Sequence, residues 1–496
     1  MVNRKIEQAV PGLEKHRVLP RFYLLISLFA TMLLFASLLV LPVYWLRAMS
    51  GLPCLPVFDC SESLYHAFGY PEIIALFLAV LLMLVLRERN THLLLLMISL
   101  INLPLYWLAC LIPKKENLWL FSCRQGLAYA ENSKHFYEYV LKEQPHIDAV
   151  WLTRSKKVHQ QLKAQGKPCA MAFSPKGYYL SARARCVFFS NFRRTQVDYN
   201  DYVITSKTLR FQLWHGSPLK KIGNERQYVH QTKLFAFFSG LFKTLVPFWR
   251  YRGACHKMLA ASDSVAEQFR RVFELSEHNL WISGYPKNDN WLKKTREQAD
   301  SDIRHVIYMP TWRAGDFLDD SELFTSHGFD AKRLNKFCAD NRIEFHFKLH
   351  PFVLEKLDFL KNVLAYCDHL HFLEVDDIYD HLHKFDMLVT DYSSILADYA
   401  LSGRPIIYAC FDLDIYRRQE GFLYDFDSLI AGPVTDNWKE VEQALLADHA
   451  SYADQRLKLR RMFNRYDSTD SCEKLMNLVS LTLSEPYGQA PIAGLE

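Results

Sequence analysis

Residues 387–409 read MLVTDYSSILADYALSGRPIIYA. The apolar run 387–390 has the length and composition of a buried strand. Asp391, Tyr392, Ser393 and Ser394 form a polar turn, and 395–401 carries a helical apolar pattern. Gly403 is placed to stop that helix, Pro405 forbids its continuation, and 406–409 is a second apolar strand. Strand, turn, helix, glycine stop and strand make the repeating unit of a parallel sheet, so this stretch predicts an α/β fold.

Working outward, similar short apolar runs alternate with helical patterns. They lie at 118–121, 149–152, 186–189, 211–214, 258–260 and 280–282, then at 306–309 and 345–349. The charged stretch 293–302 (KKTREQADSD) has no apolar stripe and marks a boundary. The expectation is two Rossmann-like domains, 113–295 and 296–496.

The first 112 residues read differently. Residues 22–46 and 93–112 lack charged side chains and are long enough as helices to cross a ~30 Å hydrocarbon core. A third apolar segment, 67–86, contains Pro71 and Glu72. Arg4, Lys5, Lys15, Arg17 and Arg21 favour a cytoplasmic N-terminus, but Arg87, Arg89, Lys114 and Lys115 then conflict with three crossings. Either 67–86 lies in the interface or the N-terminus is outside; two full crossings are preferred. A multi-pass membrane protein with the remainder of the chain on the cytoplasmic side is expected. Cys54 and Cys60 fall between the spans and are read either as a disulfide or as two free thiols. The eleven cysteines include no C-x-x-C pair and no zinc spacing.

Composition narrows the function classes. Of 496 residues, 50% are hydrophobic and 14% aromatic, which excludes a disordered or fibrous chain. A net charge of +5 is too small to argue for a nucleic-acid partner. There is no Walker A loop, G-x-G-x-x-G or G-x-S-x-G, so ATP, NAD and serine-hydrolase chemistry lose their usual support. No metal and no cofactor is expected; Asp412-Leu413-Asp414 resembles a metal pair only weakly.

Chemistry concentrates where strands end, which is where open α/β sheets bind ligands. FQLW runs into His215-Gly216-Ser217-Pro218-Leu219-Lys220-Lys221. His215 suits a general base, Gly216 admits a close substrate, and Lys220 or Lys221 suits an anion. The competing reading is a turn with a solvent-facing histidine. VIYMP runs into Thr311-Trp312-Arg313, whose guanidinium fork suits phosphate or, equally, a surface loop. EFHFKL ends in His350-Pro351, a candidate phosphate donor or leaving-group acid. The fourth end is the opening stretch. Ser393 and Ser394 would present helix N–H groups to phosphate, and Asp391 would orient the loop or bind a hydroxyl. A plain N-cap is its competing reading.

Taken in order, WHGSPLKKIG, GYPKNDNW, IYMPTWR, KLHP and TDYSSILADYALSGRPIIY resemble the successive motifs of the CDP-glycerol glycerophosphotransferase family, the teichoic-acid primases and polymerases. NLWLFSCRQGLAYAENSKHFYEYV and EGFLYDFDSLIAGP resemble its opening and closing segments. The resemblance runs from about Lys115 to about Val434 and implies a glycosyltransferase-B-like fold with the active site in the cleft. It implies His215 as base, and His350, Arg313, Ser393 and Ser394 around a diphosphate, with Asp391 in the same loop. Lys287 stands where the family pattern has Arg, and Glu420 where it has Arg before Gly-Phe.

The implied reaction is attack by a hydroxyl of a lipid-linked acceptor on the β-phosphorus of CDP-glycerol or another CDP-alditol, releasing CMP. The alternatives are a nucleotide-sugar glycosyltransferase of the same fold and a non-catalytic membrane assembly protein. Leu234, Phe237, Phe238, Leu241, Phe242 and Leu245 keep helical spacing beside Lys233, Lys243, Arg250 and Arg252. That stripe reads as a lipid-facing helix or as one packed on a sheet.

Overall fold

The computed structural model describes residues 103–190, 198, 201–223, 254–297, 302–313, 322–349 and 358–484. These fall in one compact unit, Ile101–Glu496. Two wholly parallel sheets organise it. The first contains β1 (Lys115–Phe121), β2 (Asp148–Thr153), β3 (Cys169–Met171), β4 (Ala184–Phe189), β5 (Leu209–Gln212), β6 (Lys257–Ala260) and β7 (Leu280–Ile282), in the order β3-β2-β1-β4-β5-β6-β7. The second contains β8 (Arg304–Met309), β9 (Ile343–Phe347), β10 (Leu370–Phe372), β11 (Met387–Thr390), β12 (Ile406–Ala409) and β13 (Val434–Thr435), in the order β10-β9-β8-β11-β12-β13.

The ordering follows from burial. Strand β4 (ARCVFF) and strand β11 (MLVT) are buried at every position, as strands covered on both faces must be. Nearer the edge, β9 alternates: Ile343, Phe345 and Phe347 are buried, Glu344 and His346 half-buried. The three strands that carried no sequence signal, β3, β10 and β13, have two or three residues each, too few to establish a period. Strand β5 stops at Gln212, earlier than its apolar run, because Trp214 adopts φ +56°, which cannot continue a strand.

Helices cover the faces. On the first sheet lie α1 (Glu131–Glu143), α2 (Lys156–Ala164), α3 (Pro175–Arg183) and α4 (Asp263–Phe273). Helix α5 (Pro286–Glu297) follows β7. The second sheet carries α6 (Ala331–Asp340), α7 (Ile395–Tyr399), α8 (Leu413–Gln419) and α9 (Trp438–Ala444). The chain then returns through α10 (Ala453–Phe463) and α11 (Ser471–Ser484). Cys472, Leu475 and Val479 of α11 join the core of the first sheet, and the Asp289 carboxylate accepts from the N–H groups of Ser471 (3.0 Å) and Cys472 (2.8 Å). One apolar cluster runs from Leu118 and Leu120 through Trp214 and Leu292 to Leu388 and Tyr408, so the two sheets share a continuous core.

Residues 22–46, 67–86 and 93–102, the Cys54/Cys60 pair, the 233–252 stripe and His350 lie outside the described residues. Among the described residues no helix is long and apolar enough to cross a membrane. A helix over 103–111 continues the apolar 93–112 run and exposes Leu105, Trp107, Leu108 and Leu111.

Candidate active site

His215 is the exposed member of an otherwise buried segment, Leu213 to Leu219. The turn that presents it is held tightly. Trp214 stacks on the imidazole with ring centroids 4.3 Å apart, and its backbone N–H donates to Gln212 Oε1 at 2.9 Å. Asn132 Nδ2 donates to the carbonyls of Leu213 (2.9 Å) and Trp214 (3.2 Å). His215 Nδ1 faces the Ser190 carbonyl at 3.4 Å. A carbonyl only accepts, so Nδ1 carries the hydrogen and Nε2 is left as the basic nitrogen. Ser190 is fixed in turn by its N–H to Asp198 at 2.8 Å. Crowding by protein atoms pulls the imidazole below its ordinary pKa; Glu131 and the Ser190 bond oppose this, while Lys287 and Arg124 add to it. A base kept neutral near pH 7 is the result.

Lys287, flagged in the sequence only as a departure from Arg, proves central. It is fully buried, and Nζ donates to the His215 carbonyl (2.8 Å), Tyr379 Oη (2.6 Å) and Asp398 Oδ2 (2.8 Å). Asp398 lies in α7, so this one ammonium ties the base-bearing turn to the helix after Ser393-Ser394. Gly216 completes the approach: a Cβ there would come within 3.3 Å of Ser394 Oγ and 3.5 Å of Lys287 Nζ. Gly216 is thus brought against Ser394, with His215 and Ser393 as their neighbours along the chain. Ser394 adopts helical dihedrals without capping α7 by its side chain.

Arg313 is placed differently from its reading as a phosphate holder. It is buried, and its fork closes on Asp412, Nε to Oδ2 and Nη2 to Oδ1, both at 2.9 Å. Nη1 donates to Asp391 Oδ2 (2.7 Å) and to the Thr311 carbonyl (2.6 Å). Asp391 Oδ1 accepts from Thr311 N–H (2.7 Å), Thr311 Oγ1 (2.6 Å) and Tyr392 N–H (2.6 Å). Arg313, Asp391 and Thr311 therefore lock the ends of β8 and β11 to Asp412 after β12, which also engages half of the Asp412/Asp414 pair. Lys220 forms an isolated antiparallel bridge with Phe422, so its segment pairs with the stretch after Glu420.

A second set of contacts, with no sequence signal beyond isolated charges, joins α1 to residues 377–380. The Asp377 carboxylate accepts from Lys134 Nζ (3.2 Å), Glu131 N–H (3.2 Å) and Tyr379 N–H (3.1 Å), and meets His135 Nε2 at 3.2 Å. Burial alone would raise its pKa, but the His135 and Lys134 contacts outweigh burial and hold it well below the usual carboxylate range. His135, Asp377 and Asp380 place three potential metal-ligand atoms within 4.8 Å, and Lys134 Nζ bonds both carboxylates, supplying the countercharge from the chain itself. Near the start of the KLHP motif, burial and the Arg124 charge lower the Lys348 pKa.

Known proteins resemble this chain in sequence and in fold. Residues 105–481 match the sequence profile of the family described as CDP-Glycerol:Poly(glycerophosphate) glycerophosphotransferase. The teichoic acid glycerol-phosphate transferase of Staphylococcus aureus (strain NCTC 8325 / PS 47) is 29% identical over 353 residues, covering 67% of this chain and 84% of that protein. The teichoic acid poly(glycerol phosphate) polymerase of Bacillus subtilis (strain 168) is 25% identical over 394 residues, 76% of this chain but only 50% of that protein. A solved structure of the wall teichoic acid polymerase TagF superposes with a TM-score of 0.60 at 19% identity, covering 80% of this chain and 98% of the other.

Proposed function

The chain belongs to the CDP-glycerol glycerophosphotransferase family, and from that premise we propose that it moves glycerol phosphate, or a related alditol phosphate, from a CDP-activated donor to a hydroxyl of a lipid-linked envelope glycan or polymer. CMP is released. The observation that carries this reading is the juxtaposition of a tautomer-fixed His215 with the Ser393-Ser394 turn across Gly216.

In this mechanism an acceptor hydroxyl loses its proton to His215 Nε2 as its oxygen bonds to the β-phosphorus. The P–O bond to CMP breaks, and the electron pair leaves with CMP. The Ser393 and Ser394 hydroxyls, the backbone of their turn and His350 receive the phosphates, with Lys220 at the cleft edge. Arg313 and Asp391 serve by holding that turn rigid, and preorganised donors of this kind supply most of the stabilisation in charged transition states. Residues 113–295 would carry the acceptor side and 296–496 the CDP side.

The membrane assignment belongs to the same proposal. Spans near 22–46 and 93–112 would anchor the enzyme in the inner membrane with its catalytic part cytoplasmic. The exposed Leu105, Trp107, Leu108 and Leu111, directly after the 93–102 run, support it.

The deciding assay measures CMP release from CDP-glycerol and CDP-ribitol, with UDP-sugars as controls, for wild type and His215→Ala. Loss of roughly 100- to 10,000-fold on removing the base is expected. Near-normal transfer by His215→Ala would refute the base assignment, and nucleoside diphosphate release from UDP-sugars would favour the glycosyltransferase alternative.

A further inference from the structure

Glu131 opens α1 in an unusual state. Its φ is +63°, a left-handed conformation that costs a non-glycine residue energy, and the preceding Ala130 has no side chain able to cap the helix. Trp214, the neighbour of His215, is strained in the same way at φ +56°. Strained non-glycine backbone persists where the surroundings enforce it, commonly at functional sites. Here the two strained corners are bolted together. Asn132, next to Glu131, holds the Leu213 and Trp214 carbonyls, and its Oδ1 accepts from Lys287 N–H at 3.3 Å.

The Glu131 side chain is buried, at 6% exposure. Oε1 accepts from Arg124 Nε at 2.6 Å, while Oε2 is buried with no hydrogen-bond partner among the described residues. An ion pair built only for stability would use both oxygens, because a buried carboxylate oxygen without a donor is costly. Arg124 and Glu131 are connected to the base through Ser190: Arg124 N–H donates to Ser190 Oγ at 3.3 Å, and the Ser190 carbonyl faces His215 Nδ1. The charged groups acting on His215 are Glu131, Lys287 and Arg124; those acting on Glu131 are Arg124, His215 and Lys287. Glu131 is the anion among these; Asp398 is engaged by Lys287 (2.8 Å), Asp198 by the Ser190 N–H (2.8 Å) and Asp377 by Lys134 (3.2 Å) and the Glu131 N–H (3.2 Å).

We propose that Glu131 is a positioning residue for His215: its under-coordinated carboxylate favours the imidazolium that forms when Nε2 takes the acceptor proton. The inference rests on the reading of His215 as base. Before the step, a neutral imidazole sits beside a carboxylate and two cations. After it, imidazolium and carboxylate balance, and the proton later leaves with solvent or CMP. Without Glu131, the new positive charge would face Arg124 stripped of its side-chain acceptor, and Lys287, whose counter-ion Asp398 is already engaged.

The test uses Glu131→Gln in the full-length chain, which preserves shape and the acceptor for Arg124. CMP release from CDP-glycerol is followed across pH. Removing the negative charge lowers the His215 pKa, so the acidic limb of kcat/KM should move down by about half a pH unit or more. The plateau should fall about 10- to 100-fold with donor KM changed little. Glu131→Asp should restore part of both. In a His215→Ala background, Glu131→Gln should have no further effect. An unmoved limb, or full additivity with His215→Ala, would overturn the proposal while leaving the base reading intact. Near-normal transfer by His215→Ala alone would instead remove the base reading itself. Should the Gln variant fold poorly, the position of the acidic limb in Glu131→Asp decides the same question.

Discussion

Replacing Lys287 by methionine tests the central tie between the two halves. Its side chain has 0% exposure and its partner Asp398 1%, so water cannot substitute for either. Breaking a buried pair by removing one partner costs about 3–5 kcal/mol, because the other charge stays buried. Asp398 would retain Tyr379 Oη at 2.7 Å and Asn288 Nδ2 at 3.0 Å, which places the expected loss near the lower figure, about 3 kcal/mol. Removing both charges in Lys287→Met/Asp398→Leu should recover about 2 kcal/mol of that, since a packed apolar pair is often no less stable than the ion pair it replaces. Urea unfolding by tryptophan fluorescence reads this directly, because Trp291 Nε1 donates to Asn288 Oδ1 beside the pair. Lys287→Arg should lie within about 1 kcal/mol of wild type, as a guanidinium can still engage Asp398. Transfer should fall with Lys287→Met, because the His215 carbonyl loses its anchor. A Lys287→Met cost under about 1 kcal/mol, or a double variant as unstable as the sum of the singles, would refute the reasoning.

Gly216→Ala places a methyl 3.3 Å from Ser394 Oγ; kcat/KM should fall about 10-fold with melting temperature nearly unchanged, and an unaltered kcat/KM would mean this approach is unimportant. Arg313→Lys keeps the charge but loses the fork on Asp412, and should cost about 2–4 kcal/mol in urea unfolding. His256 is held down to about 3, chiefly by burial and then by Arg210, and its Nδ1 accepts from Arg210 N–H at 3.0 Å. The unfolded chain therefore binds this proton first. Stability should decline by roughly 1.4 kcal/mol per unit as pH falls from about 6.5 towards 3, and His256→Asn should flatten that slope. The Asp377 carboxylate is depressed instead, so its contribution is present above about pH 4 and lost on further acidification; Asp377→Asn should be less stable at pH 7 yet less acid-sensitive.

Much of the architecture is legible locally. Apolar runs bounded by turn residues mark ten of the thirteen strands, and the DYSSILADYALSG stretch carries its own stop: Gly403 is left-handed at φ +70°. Periodicity and turn chemistry act within a few residues, so sequence alone determines the parallel α/β plan, the strand-end position of His215 and the separate apolar character of residues 1–112. The partners of the charged side chains are another matter. Lys287 meets Asp398 at a separation of 111 residues, and Arg313 meets Asp412 at 99. No local pattern encodes such a choice. Arg313 read from sequence is a free fork; packed between β8, β11 and β12 it has carboxylates on both sides. Glu131 likewise looks like any helix-opening acid until α1 is set against the His215 turn. Tertiary structure decides these roles because burial removes water as a competitor, and each charge must then settle on whichever partner the fold brings within bonding distance.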